Sequence, residues 1–143
     1  MLLPDVNVLI HAHREQDEQH PAHRVWLTEL VNGSSSFAVS ELVLSAFVRI
    51  VTNTRVYQDP TPLREALAFV DDIVNSPACT RLRPGPRHLT IFTDLCRAVK
   101  VTGNVVPDAY HAALAIEHGC TWVTNDRGFA RFPGLRWSTP FAA

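Results

Sequence analysis

Residues 1–12 read MLLPDVNVLIHA, an apolar run broken at its fifth position by a carboxylate, Asp5. The segment LLPDV (2–6), short, apolar and followed by the turn-forming Asn7, reads as a central strand. A lone carboxylate buried at the end of such a strand is costly unless it is paired or meets a cation. The first question is therefore which distant residues share its end of the sheet.

Working outward, the chain alternates short apolar strands with helical stretches. Residues 7–13 read as a short helix. HPAHRVWLTELVNG (20–33) reads as a longer one, with Val25, Trp26, Leu30 and Val31 on its apolar face and Gly33 as its stop. FAVS (37–40) is a second strand, and Ser40 is a good N-cap for the apolar helix that runs to about Asn53. In residues 61–77 an amphipathic helix carries Leu63, Leu67, Val70, Ile73 and Val74 at helical spacing. CTRLRPG (79–85) holds a weak third strand. The next helix places Leu89, Phe92, Leu95, Cys96 and Val99 on one side and ends at Gly103. A further helix from about Asp108 to His118 closes at Gly119, TWVTND (121–126) is a strand running into a turn, and GLRW (134–137) is a last edge strand. This alternation predicts an α/β fold with a parallel sheet covered on both faces. No repeat or linker interrupts it, so one domain over residues 1–143 is expected.

Composition fits this reading. Hydrophobic residues make up 46% of 143, enough for a substantial core. No apolar run reaches the ~20 residues needed to cross a bilayer. No basic segment followed by an apolar core and a small-residue cleavage site opens the chain, so a cytoplasmic protein without a membrane role is expected. Cys79, Cys96 and Cys120 are odd in number and form no C-x-x-C pair, which suits reduced, mostly buried side chains. The net charge of −1 does not announce a nucleic-acid binder. Of the 13 basic residues only Lys100 is lysine, and arginine is the better fork for phosphate, although base composition explains the same bias.

In parallel sheets ligands bind beyond the carboxyl ends of the strands. Asp5 ends the first strand, Glu41 follows FAVS directly, and Asp126 follows TWVTN. Asp108 opens the helix before that strand, where a right-handed crossover brings it to the same rim. Four like charges gathered there would call for Mg²⁺ or Mn²⁺, hard cations that prefer oxygen ligands. Each acid also has a plainer reading: Glu41 and Asp108 as helix N-terminal charges, Asp126 as an Asx-turn residue. Asn7, Thr124 and Asn125 are candidate supporting groups, or simply turn and strand formers. Arg127 and Arg49 are candidates for phosphate contact. His11, His13, His20 and His23 cluster early without a metal-binding spacing, and His111, near Asp108, is the one histidine placed to act behind the acids.

LLPDVNVLI, SELVLSAFVRIVTN, VVPDAYHAALAIEHG and TWVTNDRGF, in this order, resemble the PIN-domain ribonucleases, specifically the VapC-type toxins of toxin–antitoxin pairs. The resemblance spans nearly the whole chain. It implies a three-layer α/β/α sandwich with a central parallel sheet of four to five strands. It also implies a Mg²⁺- or Mn²⁺-dependent endoribonuclease, with Asp5, Glu41, Asp108 and Asp126 as the acidic metal site. As partners it implies RNA, a cognate antitoxin whose tail lies over the active groove, and a homodimer. The apolar face of the 61–76 helix, or the short helix after Asp5, is expected to serve one of these protein contacts. Two other readings compete: a haloacid-dehalogenase-like phosphatase, which needs a second Asp where this chain has Asn7, and a non-catalytic RNA-binding module of the same fold.

Overall fold

The computed structural model describes residues 1–142. Its elements are β1 (Leu2–Pro4), α1 (Val6–His13), α2 (His20–Asn32), β2 (Phe37–Ser40), α3 (Glu41–Val51), α4 (Leu63–Val74), β3 (Cys79–Leu82), α5 (His88–Val99), α6 (Val106–His118), β4 (Thr121–Val123) and β5 (Trp137–Ser138). Short 3₁₀ turns cover Gly103–Val105 and Arg127–Arg131.

Every strand pairing is parallel. β4 lies between β1 and β5, with Leu3 opposite Trp122 and Trp122 opposite Trp137. β2 pairs with β3 from Phe37–Cys79 to Ser40–Leu82. The five strands are therefore split into ladders of three and two rather than joined in the single sheet expected. β1 runs beside β2 without a ladder between them. It is only three residues long and ends in Pro4, which has no N–H to donate. The last strand also starts later than expected, at Trp137. The helices form two groups, α1 with α2 and α3, and α5 with α6, while α4 joins the first group through α3.

The core follows from the apolar pattern. Leu3, Phe37, Phe47, Leu114 and Trp122 are essentially inaccessible and belong to one cluster. Ser40 caps α3 by accepting the Val43 N–H at 3.3 Å. Gly119 closes α6 at φ +67°, a left-handed position that costs glycine little. α5 ends earlier than the sequence suggests. Lys100, not Gly103, takes its left-handed cap at φ 57°, and its N–H reaches the Cys96 carbonyl at 2.8 Å. Some expected core positions face outward: Val25, Leu63, Leu67 and Leu89 are 57, 58, 45 and 69% exposed. Helical spacing defines an apolar stripe but not its width. In α2 the buried pair is His23 and Leu27, and in α4 it is Ala66 and Ile73. Among the described residues no helix is long and apolar enough to cross a membrane.

Candidate active site

Asp5 leaves β1 and immediately caps α1. Its Oδ1 accepts the Val6 N–H at 2.6 Å, and its Oδ2 accepts the Thr124 hydroxyl at 2.7 Å and the Asn7 amide at 3.1 Å. The residue is 6% exposed. Burial pushes its pKa from 3.8 up to about 6. The Thr124 and Val6 hydrogen bonds oppose that rise, and the charges of Asp108 and Asp126 add to it. Among the described residues no basic side chain pairs with Asp5.

Asp108 sits in the first turn of α6 and is half-buried. Burial raises its pKa, the Asp126 charge raises it further, and Arg131 opposes both. Asp126 is exposed and caps the Arg127–Arg131 turn, its Oδ1 accepting the Gly128 N–H at 2.8 Å. Asp5, Asp108 and Asp126 thus act on one another electrostatically. Glu41 opens α3. Its carboxylate holds the Arg83 Nε at 2.9 Å, at the end of β3.

The supporting polar residues form one network. Thr124 is inaccessible. While donating to Asp5 its oxygen accepts from Asn7 Nδ2 at 3.1 Å and from the Asp126 N–H at 3.0 Å. Asn7 Oδ1 in turn receives the Asn125 N–H at 3.1 Å. One hydroxyl therefore ties together the exits of β1 and β4. His111 plays a different part from the one expected. It stacks on Trp122 at 5.3 Å, and its Nδ1 is buried without a partner, as is Trp122 Nε1. Burial, followed by the nearby His88, drives its pKa down to about 4.

The donor set suits a hard divalent cation: the carboxylates of buried Asp5, half-buried Asp108 and exposed Asp126, with amides and a hydroxyl behind them and no sulfur. Among the described residues, however, no three acidic, histidine or cysteine side chains approach closely enough to enclose an ion unaided. Asp126 is held by its turn and Glu41 by Arg83. Mg²⁺ keeps several waters and needs only one or two carboxylates besides substrate phosphate. The residues fit that kind of open site, and they do not form a closed cage.

The PIN domain family model matches residues 2–135 of the chain. The chain belongs to the PIN domain family. A curated relative, the VapC ribonuclease Mb2897 of Mycobacterium bovis, is 44% identical over 140 residues, covering 98% of this chain and 95% of its own. Among solved structures, VapBC2 from Rickettsia felis bound to a DNA fragment from their promoter matches with a TM-score of 0.71 at 19% identity, over 96% of this chain and 97% of the other. A toxin–antitoxin complex from Klebsiella pneumoniae matches with a TM-score of 0.62 at 19% identity, over the full length of both chains.

Within this PIN domain, two arginines near the acids escaped the sequence reading. Arg131 acts on Asp108 and donates from Nε to the Gly128 carbonyl at 2.7 Å. Arg83 holds Glu41. Arg131 lies five residues beyond Asp126 and was within reach of a search along the turn. Arg83 is separated from Glu41 by a full crossover, and no local pattern points to it. A groove of about 610 Å³ opens elsewhere, between α1, α2 and α4, and is lined by His13, Leu27, Phe69 and Ile73 among others. None of the four acids lines it.

Proposed function

We propose that this chain is one PIN nuclease domain acting as a Mg²⁺- or Mn²⁺-dependent endoribonuclease, the toxin of a type II toxin–antitoxin pair. One observation carries the reading: a buried carboxylate, Asp5, is furnished with three hydrogen-bond donors, has two acids as electrostatic neighbours, and pairs with no base. A protein core tolerates that arrangement when a cation is to complete it. The ribonuclease named at 44% identity over nearly the whole chain supports the same chemistry.

When bound, the ion supplies Lewis acidity toward phosphate and lowers the pKa of water. Asp5 and Asp108 are the residues to hold it, with Asp126 completing the set or serving a second ion. Thr124 and Asn7 fix the Asp5 carboxylate so that its position does not depend on the ligand. Arg83 is exposed and exchanges readily between partners. A substrate phosphate that takes the Arg83 guanidinium frees Glu41 to accept the proton of the attacking water. Arg131, beside Asp108, offers a second cationic contact to the RNA backbone.

The partners are RNA, a cognate antitoxin and a second copy of this chain, in the cytoplasm, where Cys79, Cys96 and Cys120 remain free thiols. The phosphatase alternative loses ground at position 7, where Asn7 donates to Asp5 and carries no acid to protonate a leaving group. The test is cleavage of a structured RNA with Mn²⁺, with Mg²⁺ and with EDTA, comparing wild type with Asp5→Asn. Cleavage that needs the metal and is lost in the folded variant supports the nuclease. Turnover of p-nitrophenyl phosphate without RNA cleavage overturns it.

A further inference from the structure

The early histidines do not gather as metal ligands, yet one of them is tied to the acids. His23, on α2, is wholly inaccessible. Its Nδ1 lies 2.7 Å from the Gln19 carbonyl, and its Nε2 lies 2.9 Å from Asn125 Nδ2. A carbonyl only accepts, so Nδ1 carries a proton, and Nε2 of the neutral imidazole accepts from the Asn125 amide nitrogen that faces it. Asn125 donates through Nδ2 to that nitrogen, which fixes the flip of its amide. The same nitrogen lies 3.4 Å from Asn7 Oδ1, and the Asn125 N–H donates to that oxygen at 3.1 Å. Asn7, with its oxygen so occupied, turns its Nδ2 to Asp5 Oδ2 and Thr124 Oγ1, each at 3.1 Å.

Every donor in this chain meets an acceptor, from the Gln19 carbonyl through His23, Asn125 and Asn7 to Asp5. Reversing the Asn125 amide would set acceptor against acceptor at His23 Nε2 and at Asn7 Oδ1, and reversing Asn7 would set donor against donor at the Asn125 N–H. The imidazole is itself wedged by rings, with His11 at 4.7 Å and Phe141 edge-on at 4.9 Å. Asp17 in turn holds His11 through its Nδ1.

We propose that His23 is a positioning residue for the acidic centre. Through Asn125 and Asn7 it sets which face of the Asn7 amide meets Asp5, and it tethers the exit of β4 to α2. It touches neither substrate nor ion. Its role rests on the metal-site reading above, because its effect is read at Asp5.

Two substitutions separate positioning from bulk. In His23→Gln, the terminal carbonyl stands where Nε2 stood and accepts from Asn125. In His23→Asn, the terminal amide stands where Nδ1 stood, serves Gln19 and leaves Asn125 without an acceptor. Both remove ring volume. Mn²⁺ alone is titrated calorimetrically into wild type and each variant, and thermal melts report folding. Expected is near-wild-type Mn²⁺ affinity for His23→Gln and a loss of about tenfold for His23→Asn. Equal affinities in the two folded variants overturn the proposal while leaving the metal site standing. Failure of the wild-type protein to bind Mn²⁺ overturns the metal reading itself, and the proposal with it. A readout on the wild-type protein needs neither variant nor metal: the imidazole ¹⁵N shifts of His23 are expected to show a protonated Nδ1 and a bare Nε2. The opposite tautomer overturns the proposal.

Discussion

The Thr124 hydroxyl donates to the Asp5 carboxylate at 2.7 Å across 119 residues of chain. Among the described residues no other side-chain hydrogen bond spans so much sequence, and two further donors meet at the same oxygen, Asn7 Nδ2 and the Asp126 N–H. Thr124→Val keeps the shape and removes the hydroxyl. Asp5 then loses a charge-assisted hydrogen bond, the Asp126 N–H loses its acceptor, and Asn7 Nδ2 loses one of its two. The expected cost is about 1–3 kcal/mol of stability, together with a 10- to 100-fold loss of Mn²⁺ affinity. Thr124→Ser restores both. Chemical denaturation and metal titration on the three proteins check this, and a Val variant that binds Mn²⁺ as wild type does would remove Thr124 from the site.

The titration of Asp5 gives a signed prediction. Its folded pKa, about 6, exceeds the ordinary 3.8, so between those values the folded state holds more protons than the unfolded one. The metal-free protein therefore has this contribution in full below pH 3.8 and sheds it as pH rises through about 6, by roughly 3 kcal/mol at most. His111 works the other way. Its folded pKa is lowered from 6.5 to about 4, so stability is shed as pH falls through that window. The two slopes oppose each other, and the wild-type profile hides both. The difference between wild type and Asp5→Asn exposes the first: without divalent ions the variant should be the more stable by about 1–2 kcal/mol at pH 7.5, since Asn7 loses an acceptor, and the gap should close by pH 4. Added Mn²⁺ should then stabilise wild type only. Urea unfolding at several pH values decides it.

How much of this was legible beforehand varied with the range of the contact. Asp5 stood out because a charge inside MLLPDVNVLI has no cheap local explanation, and the strand that places it is where the pattern puts it. Ser40 and Gly119 were readable because a cap is a contact within one turn. Leu63, Leu67 and Leu89 were misread because spacing reports a stripe without reporting what covers it. The hold of Arg83 on Glu41 and of His23 on Asn125 depends on crossovers that bring remote residues side by side, and local sequence carries no trace of either. The split of the sheet depended on the missing N–H of Pro4, visible in the sequence but meaningful only once β2 proved to be its neighbour.

The two leucines left bare on α4 test the expectation of a protein partner. Leu63 and Leu67 are one helical turn apart and roughly half exposed, an arrangement that a lone surface helix gains nothing from keeping. Leu63→Glu with Leu67→Glu should leave the melting temperature nearly unchanged, because neither side chain is in the core. Light scattering of the purified protein, and co-purification with the antitoxin partner proposed above, should show loss of one association. Retention of both would free this face of any partner.

Gly128 is the remaining point at which backbone chemistry bears on the acids. A Cβ built there would stand 2.6 Å from Arg131 Nη2 and 2.9 Å from Asp126 Oδ1. The arginine tip is flexible and exposed, so it yields cheaply. The carboxylate does not, because its Oδ1 is held by the N–H of the same glycine at 2.8 Å. Gly128→Ala must therefore either push Asp126 off its cap or open the turn. Displacing Asp126 leaves the core alone, so by that route the stability loss should stay near 1 kcal/mol, the scale of a lost cap, whereas opening the turn would also shift the buried Phe129. The effect on chemistry should be larger, because Asp126 is an electrostatic neighbour of both Asp5 and Asp108. RNA cleavage is expected to fall at least tenfold while urea unfolding moves little. Equal, small changes in both measurements would mean that Asp126 serves the turn alone.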